Sequence, residues 1–269
     1  MTVQPPGTGG LRGLDDVLMH AAHQAQVHGK MYLLVEKGTD GGFLIHHFIS
    51  SYIRGGYKVC FLALTQSFGH YCSVAQKLGV SLQAARERGQ LVVLEGLVES
   101  LRIMVGTDSQ HEASPLHFLR NAQKGLMDLY LWVKGAMEPT NDAEWKGSVL
   151  IVDDLSCFSM LSVPLQAILH FVHYLRTLLC IQLQGDLVML LATAEDCVDE
   201  EEEFLLKSLS HNSSVIVHVE GLSTGACKEI HGQMMVTSPR KPSDVQVYQY
   251  KLLDKAIQLF PRGTSSAVL

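Results

Sequence analysis

Short apolar runs alternate with amphipathic stretches along the first two thirds of the chain. Mostly apolar runs predict buried strands, and apolar positions three and four residues apart predict helices. Asp15 and Asp16 are expected in the first turn of the first helix, where the helix dipole favours anions. The predicted strands are residues 31–35, 58–65, 90–94, 148–152 and 186–192, and the predicted helices are residues 14–28, 43–53, 68–78 and 165–179.

The order of these elements predicts the layers of the fold. Strands that are apolar throughout, with helices between them, are typical of a parallel sheet covered on both faces. The apolar helix faces are too many for one side of the sheet, so helices should pack on both sides. Residues 214–220, 232–237 and 245–253 predict consecutive strands, which fit antiparallel pairing at one edge. We therefore predict an α/β fold with a mostly parallel twisted sheet, helices on both faces and antiparallel strands at the C-terminal edge.

A single domain is expected to include most of the chain. Residues 1–13 are rich in Pro and Gly and predict a flexible N-terminal arm, whereas residues 14–269 predict one domain. The periodic pattern weakens between residues 106 and 145, where a helical stretch at 115–137 lies between polar segments.

Composition narrows the functional classes. The chain has 269 residues, 47% of them hydrophobic, and a net charge of −6, so it can bury a large core but offers nucleic acid no general attraction. Six cysteines without C-x-x-C spacing favour a reducing compartment. The sequence contains neither a secretory signal nor an apolar stretch long enough to span a bilayer. We expect a cytoplasmic protein, also compatible with the nucleus, that has no membrane partner.

A glycine turn follows the first predicted strand, at Gly38, Gly41 and Gly42. A phosphate-binding loop has such glycines, but it also needs a lysine to pair with phosphate and a Ser or Thr hydroxyl to hold magnesium. If Gly42 is the last loop glycine, those two positions are Phe43 and Leu44; if Gly41 is the last, they are Gly42 and Phe43. Neither register supplies the chemistry. The glycines either form a turn alone or retain weak contacts to phosphate through their amides.

An acidic pair, Asp153 and Asp154, ends the most apolar predicted strand. A carboxylate in this position orients magnesium and water in nucleotide hydrolases, an arrangement known as Walker B. Without the lysine and the hydroxyl, the pair has no nucleotide-bound magnesium to hold. It is therefore interpreted as a cap for the following turn or a contact to a neighbouring chain, with a remnant nucleotide site as the alternative.

Other polar clusters are weaker signals. No cysteine or carboxylate completes a metal site with His46 and His47 or with His170 and His173, so no metal and no cofactor is expected. The acidic run from Asp199 to Glu203 is either a solvated loop or helix start, or a docking site for a basic partner surface.

Several ordered blocks resemble the family of Elongator subunit six, from about residue 30 to the C-terminus. The blocks are LLVEKGTDGGFLIHHFI, KVCFLALTQSFGHY, AQKLGVSL, RGQLVVLEGL, VLIVDDLS, GLSTGACKEIHGQ and SSAVL. The resemblance implies a RecA-like fold and assembly with Elongator subunits four and five into a heterohexameric ring. It also implies that the ring binds and helps to release tRNA, while the catalytic Elongator core modifies the wobble uridine.

The resemblance further implies that this chain is a non-catalytic subunit. The family lacks a regular lysine-containing phosphate loop, in agreement with Phe43 and Leu44, and Asp153–Asp154 corresponds to its Walker B-like strand end. No catalytic or RNA-contacting residue is assigned. Two alternatives remain open: a cryptic ATP-binding or ATPase subunit that completes a nucleotide site with a neighbouring chain, and an independent RNA-binding module, which the negative charge opposes.

Overall fold

The structure is a computed structural model that describes residues 11–24, 29–105, 115–119, 125–138, 145–194, 199–222 and 229–261. Nine α-helices and nine strands lie in these ranges. The strands are β1 (Met31–Lys37), β2 (Lys58–Ala63), β3 (Leu91–Glu95), β4 (Ser148–Val152), β5 (Asp186–Thr193), β6 (Val215–Glu220), β7 (Gly232–Ser238), β8 (Lys241–Leu253) and β9 (Ala256–Pro261). The helices are α1 (Leu11–Gln24), α2 (Gly42–Gly55), α3 (Phe68–Lys77), α4 (Leu82–Glu87), α5 (Gly96–Val105), α6 (Met127–Met137), α7 (Ser156–Met160), α8 (Leu165–Arg176) and α9 (Glu200–Asn212).

All nine strands form one sheet in the order β3-β2-β4-β5-β1-β6-β7-β8-β9. The first six strands of that order pair in parallel, and β7, β8 and β9 add in antiparallel fashion. The predicted mostly parallel sheet with an antiparallel C-terminal edge is confirmed. One strand differs from expectation, since β6 pairs in parallel with β1 and in antiparallel fashion only with β7.

Helices cover both faces of the sheet, as predicted. In β1, Tyr32 and Leu34 belong to a core packed under α1 to α4, whereas Leu33 and Val35 belong to a second core packed under α6 to α9. Because successive residues of a strand point to opposite faces, a strand buried on both sides must be apolar at every position. This is the physical reason for the unbroken apolar run that begins at Met31.

The start of the first helix differs from the prediction. Helix α1 begins at Leu11, inside the stretch predicted as the flexible arm, and residues 1–10 of that arm lie outside the described residues. Asp15 is therefore not in the first turn. Its carboxylate instead accepts a hydrogen bond from Ser51 at 3.0 Å and lies 2.8 Å from Nε2 of buried His47, so it joins α1 to α2.

The predicted elements do not include α4, α5, α7 or β9. The first is only six residues long, so its apolar spacing is too brief to recognise. The predicted helix at residues 165–179 ends as α8 at Arg176 and continues as a π-helical turn over Thr177–Gln182. The helical stretch expected at 115–137 is in part α6, a 3-10 turn lies at His117–Leu119, and residues 106–114 and 120–124 are outside the described part.

Parallel strands bring their carboxyl ends to one edge of the sheet. The glycine turn after β1 and the aspartates after β4 lie at this edge, with β5 between them. None of the helices in the described ranges is both long and apolar enough to cross a membrane.

Candidate functional site

The glycine turn joins β1 to α2 at the carboxyl edge of the sheet. Gly38 has a φ of +60°, a left-handed conformation that favours glycine, and it turns the chain out of the strand. Gly41 is the N-cap of α2, and Gly42 is its first residue. Unpaired backbone N–H groups at the start of a helix form the part of a phosphate-binding loop that attracts anions.

Two of these N–H groups bind carboxylates of the same chain. Gly41 N donates to Oε2 of Glu36 at 2.6 Å, and Gly42 N donates to Oδ1 of Asp40 at 2.7 Å. Glu36 is the penultimate residue of β1, so its side chain reaches into the turn that follows it. A phosphate would have to displace these carboxylates and would be repelled by their negative charge.

Packing fills the positions where a phosphate loop has its lysine and its hydroxyl. Leu44 is 0% exposed and belongs to the core under α1 to α4. The ring of Phe43 lies 5.0 Å from the ring of Tyr250 on β8. The hydroxyl of Tyr250 is in turn 3.4 Å from Oγ1 of Thr39 in the glycine turn. The antiparallel extension of the sheet therefore packs directly against the turn.

Asp153 joins the ends of β4 and β2. It is 4% exposed, and its carboxylate accepts four hydrogen bonds. The backbone N–H groups of Leu64 and Thr65 donate at 2.8 and 3.0 Å, the Thr65 hydroxyl at 2.8 Å, and the Tyr71 hydroxyl at 2.7 Å. These donors hold the segment between β2 and α3, so the carboxylate is committed to the fold of its own chain.

Asp154 organises the start of α7. It is 7% exposed, and it accepts hydrogen bonds from N and Oγ of Ser156 at 2.8 and 2.7 Å. A longer contact of 3.4 Å comes from Ala192 N at the end of β5. The two aspartates thus point to different partners on the two sides of β4. Each carboxylate is already used by hydrogen bonds within this chain.

Burial disfavours the charged form of the carboxyl groups at this edge. It raises the pKa of Asp153 and of Asp154, although the hydrogen bonds that each accepts act in the opposite direction. Burial also raises the pKa of Glu36, and the neighbouring charges of Asp154 and Asp40 add to the increase. Within the described ranges none of these carboxylates is in an ion pair. The structure thus brings the glycine turn and the acidic pair to one edge of the sheet, with β5 between them.

The histidines near this edge serve packing. His46 lies 5.1 Å from the ring of Tyr71 and 5.6 Å from that of His70. Burial lowers the pKa of His46 to about 4, so its imidazole is neutral at physiological pH. The described residues contain no group of three or more His, Cys, Asp or Glu side chains that could hold a metal ion.

Four residues that define this edge were not predicted: Glu36, Thr65, Tyr71 and Tyr250. For Glu36 a signal existed, because a carboxylate one residue before the end of a buried strand and close to a glycine turn can reach the turn amides. The other three have no local signal. They meet the site only because distant strands are neighbours in the sheet.

The carboxylate of Glu36 gives a pH-dependent prediction. Because burial raises its pKa above the ordinary value of 4.5, the folded state takes up its proton more readily than the unfolded state does. The contribution of Glu36 to stability is therefore greatest at low pH and declines as the pH rises above about 4.5 through the raised folded pKa. Urea unfolding of Glu36→Gln between pH 4.5 and 7.5 should show a weaker decline than the wild type. Equal slopes for the two proteins would contradict this role.

The strand order, the glycine turn after β1 and the acidic pair after β4 define the class: a RecA-like domain. Solved structures agree. A KaiC-like protein from Pyrococcus horikoshii matches with a TM-score of 0.54 at 15% identity, over 87% of this chain and 91% of its own. A second P. horikoshii protein matches with a TM-score of 0.55 at 10% identity, over 87% and 92%.

The family model described as Elongation complex protein 6 matches residues 11–258, and the chain belongs to that family. Elongator complex protein 6 of Xenopus tropicalis is 47% identical over 260 residues, covering 94% of this chain and 97% of the relative. The human protein of the same name is 45% identical over 262 residues, with the same coverage. The resemblance found in the sequence is confirmed, and the chain is an Elongator subunit with a RecA-like fold.

Proposed function

We propose that this chain is a non-catalytic subunit of Elongator that assembles with subunits four and five into a heterohexameric RecA-like ring. The ring binds tRNA and supports modification of the wobble uridine, and the catalytic core of Elongator performs the chemistry. The proposed site of action is the cytoplasm, with the nucleus as a further location. The observation that carries the non-catalytic assignment is the occupation of the turn amides by Glu36 and Asp40.

The non-catalytic role is supported by the hydrogen bonds that the turn amides and the two aspartates already make within the chain. The N–H groups of Gly41 and Gly42 bind internal carboxylates, and Asp153 and Asp154 bind internal donors. A nucleotide site would need these same groups free, together with a cation for the phosphates. Gly38, Gly41, Gly42, Asp153 and Asp154 are therefore proposed as the remnant of a nucleotide site that now stabilises the domain.

The net charge of the chain and its membership of an Elongator subunit family both support the proposed ring. A net charge of −6 gives the isolated chain little affinity for tRNA, so in this proposal its partners supply the cations that contact phosphate. Nucleotide sites of RecA-like rings lie between subunits. An edge that has lost its nucleotide chemistry can still serve as an interface in such a ring.

Co-expression tests the assembly. We expect size-exclusion chromatography with light scattering to give one particle containing two copies each of this chain and of subunits four and five. Each subunit expressed alone supplies the control mass. A chain that elutes as a monomer in the presence of both partners would refute the assembly.

The purified ring and the isolated chain from this chromatography also show whether tRNA binding requires the assembled ring. The ring is expected to bind tRNA with an affinity that falls steeply as salt rises, because binding releases counterions from phosphate. The isolated chain should bind at least about tenfold more weakly at the same salt concentration. Equal affinity of the isolated chain would favour an independent RNA-binding module instead.

A further inference from the structure

An open groove of about 570 Å³ lies at the carboxyl end of β5. The turn between α7 and α8 forms one wall, and the N-terminal half of α9 forms the other. The groove is therefore bounded by the turn between α7 and α8, the end of β5 and α9. Its described lining includes Met160, Val163, Leu165, Leu191, Leu205, Asp199, Glu201 and Glu202.

The floor of the groove is apolar. Leu191 on β5 and Leu205 on α9 are almost fully buried, and Val163 is buried beside them. Met160 on the rim is 75% exposed. A flexible thioether side chain at the mouth of an apolar groove adapts to the shape of a ligand and gains free energy when it is covered.

The wall formed by the turn between α7 and α8 is held in place by local hydrogen bonds. Ser162 has a φ of +58°, which is unusual for a residue other than glycine, and its N–H donates to the Ser159 carbonyl at 2.9 Å. The next N–H, of Val163, donates to the carbonyl of buried Phe158 at 3.0 Å. A groove with a fixed wall requires little ordering when a ligand enters.

The negative charge of the wall formed by α9 favours a ligand with a positive charge. Asp199, Glu201 and Glu202 line it, and the described lining contains no lysine, arginine or histidine. Asp199 caps α9 by accepting from Glu201 N at 3.1 Å, and Glu202 accepts from Ala194 N at 3.0 Å. The carboxylate of Glu201 has no hydrogen bond or ion pair within the described part of the chain. An acidic wall attracts cations and repels the phosphates of RNA.

We propose that this groove docks a short segment of a partner protein in which a lysine or arginine stands next to an aliphatic side chain. The aliphatic side chain covers Met160 and the half-buried Leu165, and the cation faces Glu201 and Glu202. This surface adjoins the remnant nucleotide site at Ser156 and Ala192, the donors to Asp154, but its lining includes none of the five residues of that site. The inference goes beyond the proposed ring. It does not depend on which Elongator subunit supplies the segment.

The test uses the full chain alone and a phage-displayed library of random 12-residue peptides. Enriched peptides are expected to contain Lys or Arg beside Leu, Ile or Met. A synthetic peptide of the enriched sequence should bind Glu201→Gln/Glu202→Gln at least about tenfold more weakly, because both carboxylates lose their charge while the glutamine at 202 can still accept from Ala194. Met160→Ser should weaken binding by about threefold or more through lost apolar cover.

Two matched variants serve as controls. Glu203→Gln removes one charge from the same helix at a residue that does not line the groove, and Val245→Ser removes an exposed apolar side chain on β8. Both should bind the peptide as the wild type does.

The proposal would be overturned if the enriched peptides lacked basic residues. It would also be overturned if the double variant and Glu203→Gln bound the peptide equally well. A dimer in light scattering that the double variant abolishes would overturn it in favour of a second copy of this chain. Failure to form the ring with subunits four and five leaves these outcomes unaffected.

Discussion

Asp153→Asn is expected to lower the free energy of unfolding by about 3 kcal/mol, since it weakens several charge-assisted hydrogen bonds at a buried position. The wild-type carboxylate accepts from Leu64 N, Thr65 N, the Thr65 hydroxyl and the Tyr71 hydroxyl. An amide has a single oxygen acceptor, and its NH₂ group would face donors that need an acceptor. Urea unfolding followed by circular dichroism measures the loss.

Tyr71→Phe is the matched control for Asp153→Asn. It removes one of the four donors and keeps the ring, so it should cost only about 1 kcal/mol. Isothermal titration of ATP and magnesium distinguishes the two roles of Asp153. An unchanged unfolding midpoint in Asp153→Asn, combined with saturable ATP binding by the wild type that the variant loses, would favour the cryptic ATP-binding subunit over a structural role.

Leu44→Ser is expected to destabilise the fold by about 3–4 kcal/mol, because it leaves a cavity and buries a hydroxyl. The substitution restores the residue type that holds magnesium in a phosphate loop. Leu44, however, is completely buried in the core beneath α2. The magnesium-ligand position of the motif has become a core position here. The change in unfolding free energy, measured in urea, tests this conclusion.

Phe43→Lys is the companion variant for Leu44→Ser. Phe43 is only partly buried, and its loss removes the aromatic contact to Tyr250, worth about 1 kcal/mol. It should not create nucleotide affinity, because Glu36 and Asp40 still occupy the turn amides. A stable Phe43→Lys/Leu44→Ser protein that binds ATP with magnesium would show that the turn is open to phosphate.

Strands that are buried on both faces could be predicted from the sequence. The predicted strands at 58–65 and 148–152 correspond to β2 and β4, because a strand covered on both sides must be apolar at every position. Elements with few buried residues or short length, such as α4 and β9, lack this constraint. The pairing of β6 could not be predicted, since its residues are compatible with parallel pairing to β1 and with antiparallel pairing to β7.

The sequence by itself determined what the glycine turn lacks. Phe43 and Leu44 contribute neither a cation nor a magnesium ligand in any fold, because this follows from side-chain chemistry alone. The same holds for the net negative charge and for the unbroken apolar strands that require a sheet covered on both faces.

The tertiary structure alone decided what occupies the site in place of a nucleotide. Tyr250 reaches Thr39 across 211 positions of sequence, and Asp153 reaches Thr65 across 88. Such contacts depend on the order of strands in the sheet, which the local pattern of apolar and polar residues does not specify. The acidic wall and the exposed Met160 of the groove likewise meet only because α9 and the turn after α7 pack beside the end of β5.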